Sequence, residues 1–140
     1  MKQQLYILVA DSGRAKVYRS QKPVKTLELV YDQVNFQGRK KPSEIYSDKA
    51  GGQHSGSGGH HSFAGERENH EEDRFSRDLA KMLQSEYQAG QFDALVLISP
   101  PHFLGKLRQQ LDKECRKVVI KSIDKDLVRM AEQDIISHLV

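Results

Sequence analysis

Two short apolar runs constrain this chain most. Residues 5–10 read "LYILVA" and residues 92–99 read "FDALVLIS", each too short for a core helix and each lacking polar alternation. Runs of that length and composition are how strands buried on both faces look, because a covered sheet leaves no solvent side for polar residues. The chain therefore needs a sheet with protein packed against both faces. At 140 residues it is long enough for a single sizeable core and short enough to suggest one domain over residues 1–140.

The segments around these runs fill in the architecture. Asp11-Ser12-Gly13-Arg14 is a turn by composition, and "AKVYRS" follows as a second, partly exposed strand, so the short connection implies an antiparallel hairpin. "KTLELVYDQV" places Leu27, Leu29 and Tyr31 on one face of a third strand. Residues 36–62 show no periodicity and are rich in Gly, Ser, Lys and His; they read as a flexible loop. From about Glu66 to Ala89 the spacing turns helical, with Phe75, Leu79, Met82, Leu83, Glu86 and Tyr87 on one stripe that is apolar except for Glu86. Glu66, Glu68, Glu71, Glu72 and Asp73 would crowd the first turns, where the helix dipole favours negative charge, and Gly90 is a natural stop. The second buried strand closes at Pro100-Pro101. A helix with Phe103, Leu104, Leu107 and Leu111 on one side follows, then a fifth strand "KVVIKSI" and a short terminal helix with Ile135, Ile136 and Leu139. The expected fold is α/β: an antiparallel meander continuing into parallel strands, five in all, in a ribonuclease-H-like arrangement with helices on the sheet.

Composition narrows the class of function. The 22 basic and 19 acidic residues leave a net charge of +3, which permits contact with nucleic acid without demanding it. The single Cys115 excludes an intrachain disulfide and a thiol-rich zinc site and suits a reducing compartment. No apolar run approaches the roughly 18 residues of a membrane span, and the N-terminus lacks a secretory h-region, so the reading is cytoplasmic.

Several segments together resemble one bacterial family, the host attachment proteins. They are "LYILVADSGRAKVY", "SDKAGGQHSGSGGHH", "HEEDRFSRDLAKML", "FDALVLISPPHFLGKLR" and "VVIKSIDKDL", in order along nearly the whole chain. That family looks like an isolated middle domain of archaeal and eukaryotic class-1 release factors and of the ribosome-rescue protein Pelota. The resemblance implies a ribonuclease-H-like fold whose loop between the meander and the first long helix can carry Gly-Gly-Gln. Here Gly51-Gly52-Gln53 stands in the matching loop and is the candidate catalytic set for peptidyl-tRNA ester hydrolysis. The glycines would let the backbone approach the tRNA end, and the glutamine N–H would stabilise the leaving oxygen. Departures from the pattern favour a non-catalytic module. Phe63-Ala64 lies ten positions after Gln53, the following helix is acidic rather than arginine-rich, and no companion domain or basic tail is evident.

The alternative chemistry is sparse. Asp11 stands where a metal nuclease needs a carboxylate, but Ser99-Pro100-Pro101 offers none, Asp93 lies at the wrong end of its strand, and Lys125 separates Asp124 from Asp126. His54, His60 and His61 match no standard zinc spacing. Ser99 has no evident His/Asp partner, and His102 reads as a helix-start or surface residue. No metal or cofactor is implied. The cations Lys22, Lys25, Arg39, Lys40, Lys41 and Lys49 flank or occupy the loop. Arg39, Lys40, Lys41 and Lys49 could follow a phosphate backbone while Phe36 and Tyr46 stack on bases. The expected function is an RNA- or ribosome-associated binding module. The alternatives are a ribosome-rescue hydrolase acting through Gly51-Gly52-Gln53, or a factor acting indirectly on attachment through a protein partner.

Overall fold

A computed structural model describes the fold over residues 3–35 and 60–140, with side chains described outside residues 60–69. Five strands form one sheet in the order β3-β2-β1-β4-β5. β1 (Gln4–Asp11), β2 (Arg14–Gln21) and β3 (Glu28–Val34) make the antiparallel meander. β4 (Ala94–Ile98) pairs parallel with β1, and β5 (Val119–Ile123) pairs parallel with β4. Consequently β1, β3, β4 and β5 all point their carboxyl ends to one edge of the sheet.

The two apolar runs are the adjacent central strands, and each alternates between two cores. Tyr6, Leu8 and Ala10 with Leu95 and Leu97 face helix α1 (His60–Gln88), helix α2 (Pro101–Gln110) and the short α3 (Lys113–Lys117). Leu5, Ile7 and Val9 with Val96 and Ile98 face Leu127, Val128 and Ile135 of the C-terminal stretch that ends in helix α4 (Glu132–Leu139). Both faces are covered, which removes any need for polar alternation and explains the continuous runs. Gly90 terminates α1 at φ +77°. Its N–H donates to the Tyr87 carbonyl and that of Gln91 to the Glu86 carbonyl, the paired bonds of a Schellman stop.

Three expectations are corrected. Leu27, Leu29 and Tyr31 do not share a face. A bulge between the Val17↔Tyr31 and Tyr18↔Leu29 pairs inserts Val30 as an extra residue. Tyr31 therefore joins the helix-side core, Leu27 the opposite core, and Leu29 is left 47% exposed. Secondly, α1 begins at His60 rather than near Glu66, so the anticipated loop loses residues 60–62. Its first turn contains no acid, and the Glu/Asp run sits in later turns, where the helix terminus does not account for it. Gly65 is the weakest helix former in that stretch, and one internal glycine costs only about 1 kcal/mol. Thirdly, the helix after β4 ends at Gln110, because Leu111 turns extended at φ −68°, ψ 139°. Asp112 then caps a separate α3, its carboxylate accepting from the Cys115 N–H at 2.9 Å.

Candidate functional site

The carboxyl edge of the sheet carries Asp11, Arg14, Asp32, Asn35 and Ser99. In open α/β sheets this is the edge where crevices form, since connecting segments diverge there. Asp11 closes the β1–β2 hairpin: one carboxylate oxygen accepts from the N–H groups of both Gly13 and Arg14 at 2.8 Å. That oxygen is committed to the turn, which is a structural use rather than a metal-binding one. Among the described residues no three His, Cys, Asp or Glu side chains converge on a point that could hold a metal ion.

Asn35, the last residue described after β3, is only 6% exposed and is fastened to the same hairpin. Its backbone N–H donates to the Gly13 carbonyl at 2.9 Å and its side-chain amide to the Ser12 carbonyl at 3.0 Å. Beside it, Arg14 forms a two-pronged pair with Asp32 at 2.8 and 3.0 Å. The hydrogen bonds from Arg14 hold the Asp32 carboxyl below its ordinary range.

On the helix side, α2 starts at this edge with Pro100 as its cap residue and Pro101 in its first turn, where a missing N–H costs nothing. Facing it, α1 contributes the acids expected to crowd its first turns, and here they meet basic side chains. Lys106 pairs with Asp73, His102 Nε2 lies 3.5 Å from Glu72, and Arg74 lies 2.7 Å from Glu71 within the helix. The acidic face of α1 is thus partly neutralised at the helix crossing. Neither interhelical pair could be found from spacing, because each needs the approach of two helices about thirty residues apart in sequence.

Ser99 is fully buried, its N–H donating to the Ile123 carbonyl at 3.0 Å. Its hydroxyl has no hydrogen-bond partner among the described residues, and a substrate cannot reach it. Asp93 sits at the opposite, amino edge, where its carboxylate accepts from the Gln4 N–H at 2.9 Å. Asp124 and Asp126 are exposed in the connection after β5.

Phe36, Arg39, Lys40, Lys41, Tyr46, Lys49, Gly51, Gly52, Gln53 and His54 lie outside the described residues. His60 and His61 occupy neighbouring positions in the first turn of α1. Lys22 and Lys25 do not flank that segment. They belong to the β2–β3 connection at the amino edge, beside the Gln4↔Gln21 pair, whereas Asn35 leaves from the carboxyl edge. The length of β3 separates them, a consequence of strand direction that charge patterning could not reveal.

A five-stranded mixed sheet, helices on both faces and a carboxyl edge closed by two ion-paired helices define an α/β protein. The chain belongs to the family described as "Protein required for attachment to host cells", which matches residues 6–139. No curated protein matches it. No described helix is long and apolar enough to cross a membrane.

Proposed function

We propose that this host-attachment family member is a non-catalytic, cytoplasmic binding module that holds RNA, on the ribosome or free, at the carboxyl edge of its sheet. The observation that carries the reading is the double hydrogen bond from Asn35 to the β1–β2 hairpin. It fixes at that edge the point from which residues 36–59 depart, and α1 resumes the chain at His60. Those residues hold Arg39, Lys40, Lys41 and Lys49 against Glu44 and Asp48, with Phe36 and Tyr46 available for stacking. The pairing of Lys106 and Arg74 with α1 carboxylates supports the reading further, since it lessens repulsion of phosphates at the same edge. The ribonuclease-H-like likeness, and with it the comparison with release-factor middle domains, belongs to this proposal.

The test is ribosome co-sedimentation and binding of single-stranded RNA across a salt series. Four phosphate contacts would weaken binding roughly 50-fold between about 50 and 200 mM salt, and Lys40→Glu with Lys41→Glu should roughly halve the logarithmic salt slope. Binding that ignores both salt and these substitutions would sink the proposal. Release of peptide from loaded ribosomes, lost in Gln53→Ala, would instead favour the hydrolase.

A further inference from the structure

The amino edge of the sheet, opposite the edge discussed above, carries an apolar groove and a polar pocket. On the α4 face, a groove of about 620 Å³ is walled by Leu5, Val24, Val96, Ile120 and Leu139. A polar pocket of about 400 Å³ adjoins it, with Lys25, Arg19 and Gln21 in its lining. Lys22 and Pro23 line both, so the apolar groove meets the polar pocket at Lys22. Lys121 also stands on the groove, its ammonium donating to the His138 carbonyl at 3.3 Å.

Two features show that this is more than a gap at a sheet corner. A bulge in β5 sets Leu95 opposite Val119 and Val96 opposite Lys121, leaving Ile120 as the extra residue. Bulges re-aim a side chain, and here the re-aimed Ile120 forms groove wall while remaining 45% exposed. In the polar pocket, cations also outnumber carboxylates: Arg19, Lys22 and Lys25 stand against Glu28. Glu28, the carboxylate of the polar pocket, is taken by Arg19 at 3.3 Å, and neither Lys22 nor Lys25 has a carboxylate partner among the described residues. An apolar trough that ends at uncompensated ammonium groups complements a molecule with an alkyl body and an anionic head. The same bulge interrupts the row of backbone groups that an added peptide strand would require, which argues against a peptide occupant.

We infer that this groove binds a free single-chain carboxylate of the fatty-acid class, its alkyl chain along Ile120, Val96 and Leu139 and its carboxylate at Lys22 and Lys25. The volume falls in the usual range for small-molecule sites. The site is separate from the RNA-binding reading and stands or falls without it.

The experiment is calorimetric and NMR titration of the full chain with octanoate, decanoate and dodecanoate, each below its micelle concentration. Affinity should rise by about fourfold per added methylene, with amide shifts concentrated in residues 22–25, 119–121 and 138–140. Decanol and decylammonium should bind at least about tenfold more weakly than decanoate, because they lack the charge that the lysines complement. These ligand comparisons need no variant. Lys22→Glu with Lys25→Glu should lose at least about tenfold in decanoate affinity at an unchanged melting temperature. Absence of saturable binding, equal binding of decylammonium, or shifts scattered over the surface would overturn the inference. So would capture by anionic phospholipid vesicles without binding of the free carboxylate, which would assign the groove to a membrane surface.

Discussion

The Tyr6 hydroxyl donates to a Glu86 carboxylate oxygen at 3.2 Å, tying the central strand to α1 across 80 residues of sequence. Tyr6 is 2% exposed and stacks on Phe92 at a centroid distance of 4.6 Å, so its hydroxyl needs a partner that the apolar core does not offer. Glu86 is that partner, which explains the one polar position in the apolar stripe of α1.

Replacing Tyr6 by Phe should therefore destabilise the fold by about 1 kcal/mol while preserving the ring packing. Adding Glu86→Leu should recover much of that loss, because the carboxylate would no longer face a vacated partner. Urea denaturation of both single variants and the double variant gives the coupling directly. Zero coupling would show that the hydrogen bond contributes nothing.

Asn35→Ala removes a side-chain donor from a buried position and leaves the Ser12 carbonyl without it. The expected cost is about 1–3 kcal/mol. Asn35→Asp should cost at least as much, since a carboxylate oxygen would face that carbonyl. Thermal and urea denaturation measure both, and stability equal to the parent in both variants would refute the anchoring role.

Alkaline pH should destabilise the protein. Cys115 is 1% exposed, and burial, aided by Asp112, pushes its thiol from an ordinary 9.0 up to about 11. Burial likewise raises the phenols of Tyr6, Tyr18 and Tyr31. Each group is neutral when protonated, so a raised folded-state value means that the unfolded chain loses its proton first. The stabilisation is whole below the unfolded values and is lost as pH climbs through the folded ones, beginning near pH 9 for Cys115. Urea midpoints at intervals across that range should fall steadily. A thiol reagent at neutral pH should modify Cys115 only on unfolding, and rapid reaction of the native protein would contradict its burial.

Ser99→Ala should be neutral or stabilising by up to about 1 kcal/mol, because the hydroxyl it removes is buried and unpaired. Two residues earlier on the same face, Leu97→Ala should cost about 2–5 kcal/mol through the cavity it opens. Denaturation of the two variants side by side separates a polar passenger from a packing residue. A large loss in Ser99→Ala would mean that the hydroxyl has a structural role.

Much of the architecture was readable because it follows from local chemistry. The runs at residues 5–10 and 92–99 announced doubly covered strands, the turn at Asp11-Ser12-Gly13-Arg14 announced a hairpin, and Gly90 announced the end of α1. Two of the misreadings turn on a single residue. The bulge at Val30 separates Leu27 from Tyr31, and the extended backbone at Leu111 divides one expected helix into α2 and α3. A periodicity averages over several positions and is blind to a single inserted residue.

The order of apolar runs, turns and helical stripes, by itself, determined the mixed five-stranded sheet, because burial on two faces leaves few other solutions for such a pattern. Strand direction then decided what no pattern along the chain encodes. It set Lys22 and Lys25 at the amino edge and Asn35 at the carboxyl edge, and it brought α2 alongside α1 so that Lys106 meets Asp73. Those placements depend on through-space approach of residues distant in sequence, and the energy of such an approach exists only once the sheet has closed its two cores.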